Sequence, residues 1–138
     1  MSATKHNHLA IAVAVILNFV VGGMWYSPML FQGSWLSGWH KRPEEVNQQD
    51  PALLLVGLPL AIASAYILSW LIQKTNMQTA TGGALLAALT WLAASAPALM
   101  PHYALAGVGW SATFIDSANA LVCSMIAGAI IGGWRRRA

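Results

Sequence analysis

Four long apolar segments constrain this chain more than any other feature of its sequence. They cover residues 9–25, 51–73, 80–100 and 112–134, and charged side chains are almost missing from them. Because an α-helix rises 1.5 Å per residue, about 20 apolar residues cross the hydrocarbon core of a bilayer. The pattern predicts an all-α fold, an integral membrane four-helix bundle that forms one transmembrane domain over residues 1–138.

The composition favours lipid over water as the solvent around most of the surface. The 138-residue chain is 57% hydrophobic and 8% charged, whereas an ordinary soluble domain is about 25% charged. Three of its seven basic residues form the terminal run 135–137, which is typical of a membrane flank. The expected partner is therefore the lipid bilayer, and no nucleic acid is expected.

The end of the first apolar segment is rich in aromatic residues. A Gly-Gly pair and an adjacent Trp-Tyr pair within residues 22–26 are followed by Pro28, which stops the helix. Phe31, Trp35 and Trp39 then recur every four residues, on one helical face. Trp and Tyr rings favour the membrane–water interface, so residues 29–39 are predicted to form a short interfacial helix.

The distribution of basic residues predicts the orientation. Four crossings put both termini on one side of the membrane, together with Lys5, Lys74 and the arginines 135–137, whereas Lys41 and Arg42 lie on the other side. By the positive-inside rule, the N- and C-termini are predicted to be cytoplasmic. The hydrophilic loop 40–50 then lies on the outer face.

Small residues form a stripe along two of the helices. In the fourth helix the stripe includes Ser124, Gly128 and Gly132, and in the first it ends at Gly22. Small side chains let helices approach closely in lipid, so these four residues are predicted to be packing residues, the two stripes facing each other or a second subunit. Gly128 and Gly132 make a G-x-x-x-G motif, which fits a homo-oligomer and packing within one bundle equally well.

Asp116 is the candidate site residue with the clearest physical rationale, because it is the one acidic side chain in an apolar segment. A carboxylate near mid-bilayer costs about 2.5–3.5 kcal/mol on insertion scales, so it is expected to face the bundle interior and to have a partner. Asn18 and Asn119 are predicted to lie at a similar depth, and Trp25 and Tyr26 level with the carboxylate. Tyr26 is the partner that we expect.

Two roles for this group of residues remain open. One is a ligand or ion site built from Asp116, Tyr26, Asn18, Asn119 and Trp25. The other, which the sequence favours, is a structural carboxylate held by Tyr and Trp donors. No cofactor is expected.

The histidines do not indicate a metal site or an enzyme. His40 and His102 are assigned to the outer face with the acidic residues, but no His-x-x-x-His spacing and no paired Cys accompany them. His6 and His8 are expected to be solvated in an N-terminal tail. No metal site is predicted, and an enzymatic role is disfavoured.

The aromatic stretch and the last helix also resemble the sequence of a known protein family. The sequence GGMWYSPMLF at residues 22–31, Trp35, and the last helix around Asp116 resemble the DUF1761 family of small bacterial membrane proteins. The matching positions are Gly22, Trp25, Tyr26, Ser27, Pro28, Phe31, Trp35 and Asp116. The resemblance implies four transmembrane helices in a bacterial inner membrane. It implies no activity, because the family is named for unknown function.

The expected function is therefore non-enzymatic. The protein would pack with itself or with partners, or would bind a small apolar or lipid-like molecule near the outer leaflet. The alternative is a small proton- or cation-coupled transporter that uses Asp116. It ranks second because the small multidrug resistance proteins, of comparable length, rely on an acid in the first helix, where this chain has Asn18. A membrane enzyme with a His/carboxylate site ranks third.

Overall fold

The computed structural model describes residues 5–47 and 49–134, and every regular element in these ranges is helical. A short 3-10 turn, Pro43–Glu45, lies in the hydrophilic loop, and a π-helical turn, Trp91–Ser95, joins α4 to α5. The α-helices are α1 His8–Trp25, α2 Gln32–Gly38, α3 Pro51–Lys74, α4 Ala80–Thr90, α5 Ala96–Leu105 and α6 Trp110–Gly133.

Four helical spans are long and apolar enough to cross a membrane: His8–Trp25, Pro51–Lys74, Ala80–Leu105 and Trp110–Gly133. Many of their large apolar side chains point away from the rest of the chain, as Leu55 does with 75% of its surface exposed. Exposed apolar surface of this extent is costly in water and is normal for a helix that faces lipid. The fold is therefore compatible with a membrane protein.

The third span differs from the prediction at its C-terminal end. It was expected to end near residue 100 and to be followed by a loop, but it continues to Leu105. The helix continues through Pro101, which lies inside α5. Before that, a π-helical turn lets the helix pass an earlier proline, Pro97. In a regular α-helix the proline ring would clash with the carbonyl four residues earlier; here the Ala96 N–H instead reaches back five residues to the Trp91 carbonyl, which widens the turn just before the proline.

Helix α6 lies at the centre of the fold, because it packs against α1, α2, α3, α4 and α5. Its closest neighbour is α4. A Cβ atom on Gly83 would collide with the Gly128 carbonyl, and a Cβ atom on Gly128 would collide with the Gly83 carbonyl. The two backbones therefore touch directly, which only glycine permits at these positions.

This contact corrects the predicted pairing of the small-residue stripes. Gly128 and Gly132 face α4, where a Cβ atom on Gly132 would meet the Thr79 carbonyl, and they do not face Gly22. Gly22 makes no close helix approach, since a Cβ atom there would have no neighbour within 4 Å. Its predicted packing role within the chain is therefore wrong. The G-x-x-x-G motif is used inside one chain, and self-association stays a prediction.

Helices α1 and α3 meet in a cluster of buried apolar side chains that also includes Ile131 of α6. At the same end of the molecule, the Nδ1 atom of His8 lies 2.7 Å from the Tyr66 hydroxyl, and that of His6 lies 3.0 Å from Ser69 Oγ. The expectation that both histidines are simply solvated is therefore wrong. They connect the start of α1 to the second half of α3.

Candidate functional site

The Asp116 carboxylate is the centre of a cluster of aromatic donors. The Tyr26 hydroxyl donates a hydrogen bond to Asp116 Oδ1 over 2.6 Å, and the Trp35 indole N–H donates to the same oxygen over 2.9 Å. The Tyr103 side chain also interacts with this carboxyl group. Charge-assisted bonds of this kind are roughly twice as strong as neutral ones. Asp116 Oδ1 on α6 therefore accepts hydrogen bonds from both the end of α1 and α2.

The turn between α1 and α2 places Tyr26 and Trp35 on the same side of α6. The Ser27 carbonyl accepts hydrogen bonds from the backbone N–H groups of Leu30 and Gln32, so the chain reverses directly after α1. Pro28 lies within this turn and cannot continue the helix. As a result α2 begins close to the point where α1 ends.

The far end of α2 is fixed to the start of α6 through its backbone. The Gly109 N–H donates to the Gly38 carbonyl over 2.7 Å, and the Ser111 hydroxyl donates to the Ser34 carbonyl over 2.9 Å. A Cβ atom on Gly38 would lie 2.5 Å from Ala112 Cβ. Glycine at position 38 is therefore needed for this close approach.

Aromatic rings continue outward from the carboxylate in edge contacts. Tyr26 and Trp35 have ring centroids 5.2 Å apart, and Trp39 and Tyr103 also lie 5.2 Å apart. Trp35 and Trp39 are linked at 6.5 Å. Such T-shaped pairs contribute about 0.5–1.5 kcal/mol beyond the burial of their area. The α2 helix is thereby held as an aromatic layer over the start of α6.

The proton affinity of Tyr26 follows from this position. Burial raises the pKa of its hydroxyl above the ordinary value, and the hydrogen bond to Asp116 raises it further. The phenol therefore keeps its proton and acts as a donor at any physiological pH. The hydrogen bond from Tyr26 to Asp116 therefore fixes the position of the aromatic layer, and Tyr26 is not expected to ionise.

Trp25 is placed differently from its aromatic neighbour. Its indole N–H donates to the Ile115 carbonyl over 3.1 Å, and its ring packs on Phe31 at 4.8 Å. It lies level with Asp116, as expected, but its donor is directed to the backbone of α6. Trp25 therefore supports the cluster without contributing a polar atom to the carboxylate.

A cavity of about 610 Å³ lies next to this cluster, between α1, the start of α3 and α6. Tyr26 and Trp35 line it, so the two donors to Asp116 also form part of its wall, whereas Asp116 is not part of its lining. The remaining lining residues are Asn18, Phe19, Gly22, Gly23, Val46, Asn47, Gln49, Asp50, Pro51, Leu53, Leu54 and Asn119.

A second cavity of about 310 Å³ continues deeper along α1, α3 and α6. Asn18 and Asn119 line both cavities, so these two amides mark the point where one leads into the other. The Cys123 thiol donates to Asn119 Oδ1 over 3.5 Å. Ser124, expected to be a packing residue, lines the second cavity instead.

The structure thus separates the predicted site residues into two groups. Tyr26 and Asp116 are in direct contact, while Asn18 and Asn119 come together at the cavities. Trp35 was recognised as an aromatic position but not as a donor to Asp116. Asn47 and residues 49–51 were not predicted to line a site. The recurrence of Trp35 on the same helical face as Phe31 was the available signal for an inward-facing ring.

No metal centre is found among residues 5–47 and 49–134, because no three His, Cys, Asp or Glu side chains there lie close enough to hold an ion. His40, with its backbone φ of 54°, belongs to the turn after α2. His102 lies in α5 and is exposed. Neither histidine joins the Asp116 cluster through a contact in the described part of the chain.

Fold and site together define a class: an all-helical protein with four apolar spans, an aromatic–carboxylate cluster and an adjoining cavity. The chain belongs to the DUF1761 family, described as a protein of unknown function, which matches residues 9–132. No curated protein and no solved structure matches the chain. The family match covers nearly the whole chain and brings no activity with it.

Proposed function

We propose that this protein is an integral membrane four-helix bundle that binds a small apolar or lipid-like molecule in the cavity between α1, α3 and α6. The observation that carries the proposal is the 610 Å³ cavity itself. Ligand sites are typically clefts of about 300–1,000 Å³ with mainly apolar walls and a few polar groups that fix orientation. Here Asn18 and Asn119 supply such groups on the helices, and Asn47, Gln49 and Asp50 supply others where the loop meets α3.

In this proposal Asp116 is structural and does not form an ion pathway. Its Oδ1 atom already accepts from Tyr26 and Trp35, and the linings of the two cavities do not include it. Those two donors hold the aromatic wall in place. Asp116 therefore supports ligand binding through its neighbours.

The proposed location is a bacterial inner membrane with both termini in the cytoplasm. Lys5 precedes α1 and Lys74 ends α3, at the end of the fold where His6 and His8 meet α3, whereas Lys41 and Arg42 follow α2 at the other end. The positive-inside rule then assigns the α2 end to the outer face.

Cysteine labelling in intact cells tests this orientation. In a Cys123→Ser background, a Glu44→Cys variant is expected to react with a membrane-impermeant maleimide added from outside, because Glu44 is exposed in the loop after α2. A Thr75→Cys variant is the matched control at the opposite end and is expected to react only after permeabilisation. The reverse pattern would contradict the proposed orientation.

Photolabelling tests the cavity. The probe is an uncharged alkyl diazirine in phosphatidylcholine vesicles that contain the purified protein. Excess unlabelled dodecanol is expected to suppress labelling near Gly22 and Asn119, which line the cavity and are only partly exposed. Labelling of Leu55 and Val56, which are exposed on α3, is expected to persist, because bulk lipid reaches them. Equal suppression at both places would contradict a defined site.

A variant that fills the cavity sharpens the experiment. Gly22→Leu adds a side chain at a position that lines the cavity and has open space around its Cβ. We expect the part of the diazirine labelling that excess dodecanol suppresses to fall at least fivefold. Gly33→Leu is the matched control, because it makes the same change on α2 at a position that also has open space and lies outside this lining. It is expected to leave labelling unchanged.

A further inference from the structure

We propose that the ligand of the 610 Å³ cavity is a single-chain amphiphile with a cationic head, such as a long-chain alkylamine or alkyl quaternary ammonium ion. This inference rests on the proposed function, since it requires that the cavity binds a lipid-like molecule at all. It adds the charge of the head group and the place where that head lies.

The first observation is the charge at the mouth of the cavity. Among the described residues that line it, Asp50 is acidic and none is basic. The Asp50 side chain is exposed at the start of α3, where its Oδ1 atom accepts one hydrogen bond from the Ala52 N–H over 2.9 Å. An ionised carboxylate offers about four lone-pair sites, so this cap leaves capacity for a cationic ligand.

The second observation is the pair of aromatic walls beside this mouth. Tyr26 and Trp35 line the cavity, and their rings stand at 63° to each other. Aromatic faces attract cations within about 6 Å, and quaternary ammonium ions are recognised in this way. The Asp116 carboxylate behind both rings adds further negative potential at this place. An anionic head would be repelled by the same groups.

The third observation is the shape of the passage that leads away from the mouth. The cavity linings follow α3 from Pro51 to Leu68, a distance of about 25 Å at the rise of an α-helix. Beyond Asn18 and Asn119 the walls carry small side chains such as Ala61 and Ala65. The two cavities together are therefore long enough for one extended alkyl chain.

The distribution of charge along the chain agrees with this preference. Five of the seven basic residues, Lys5, Lys74 and the arginines 135–137, belong to the opposite side in the proposed orientation. On the side of the mouth, Lys41 and Arg42 are outnumbered by the four acidic residues, Glu44, Glu45, Asp50 and Asp116, so the field there favours a cation over an anion.

The test is competition for the photolabelled site by three amphiphiles of equal chain length: dodecyltrimethylammonium, dodecanol and dodecanoate. They are compared at equal mole fraction in phosphatidylcholine vesicles, which removes differences in partitioning. The ammonium ion is expected to compete at a concentration at least fivefold lower than the carboxylate. Equal competition by all three would overturn the head-group inference and leave the proposed function intact, whereas failure of all three to compete would overturn the proposed function.

Asp50→Asn locates the preference at the mouth. Asparagine caps helices as well as aspartate does, so α3 is expected to stay folded while the ammonium preference falls to about twofold or less. Glu44→Gln removes an equal charge from the same loop at a position outside the lining and is expected to keep the full preference. The inference would be overturned if Asp50→Asn kept the preference, or if Glu44→Gln reduced it equally.

Discussion

Replacing Gly128 by alanine is expected to lower the free energy of unfolding by about 1–3 kcal/mol, the usual cost of overpacking a tight contact. The added Cβ would collide with the Gly83 carbonyl and lie 3.0 Å from Ala87 Cβ. Because the Gly83 contact is backbone, no side-chain rotation can relieve it. Helices α4 and α6 would have to separate, and α6 is the helix against which the others pack.

The matched control is the same substitution at Gly23. A Cβ atom there would have no neighbour within 4 Å, and alanine is favoured over glycine in helices by about 1 kcal/mol. Gly23→Ala is therefore expected to be neutral or stabilising. Unfolding of both variants in mixed micelles, followed by the loss of helical circular dichroism, measures the difference. Equal stability of the two variants would show that α4 and α6 are not in backbone contact.

The sequence predicted where the helices lie better than how they pair. The four apolar segments and the capping residue Asp50 mark the spans directly, because length and apolarity decide which segments can cross a bilayer. The extension of the third span from Met100 through Pro101 to Leu105 was missed, because a proline normally ends a helix. The π-helical turn before Pro97 was not predicted either, because it has no simple sequence signature.

The candidate site was predictable where one residue had few possible partners. A lone carboxylate in an apolar helix needs a donor, and the expected contact from Tyr26 to Asp116 is confirmed. A glycine has no side chain that needs a partner, so its neighbour cannot be predicted in this way. Gly22 and Gly128 occupy similar stripes, yet Gly128 meets a backbone carbonyl and Gly22 lines a cavity. Which helix faces a small residue depends on the whole packing arrangement and cannot be read from spacing alone.

Replacing Asp116 by alanine is expected to lower the free energy of unfolding by about 2–4 kcal/mol. The substitution removes the hydrogen bonds of Tyr26 and Trp35 to Asp116 at once, and the loss of each such bond by a partly buried donor costs about 1–3 kcal/mol. Asp116→Asn keeps an acceptor of the same shape and is expected to lose roughly half as much. Glu44→Ala, which removes an exposed acid, is the control and is expected to change stability by less than about 0.5 kcal/mol.

A double-mutant cycle separates the hydrogen bond from general effects of the substitutions. Tyr26→Phe alone is expected to cost about 1.5–3 kcal/mol, because it removes one bond to a charged acceptor. In the Asp116→Ala background the same change is expected to cost much less, since the hydrogen bond to Asp116 is already lost. The coupling energy between the two positions should therefore exceed about 1 kcal/mol, and additive losses would mean that the two residues do not interact.

The same single variants are also expected to weaken ligand binding, because Tyr26 and Trp35 line the cavity. In Tyr26→Phe and Asp116→Ala, the part of the photolabelling near Gly22 that dodecanol suppresses is expected to fall. Such a loss would connect the stability of the aromatic wall to ligand binding.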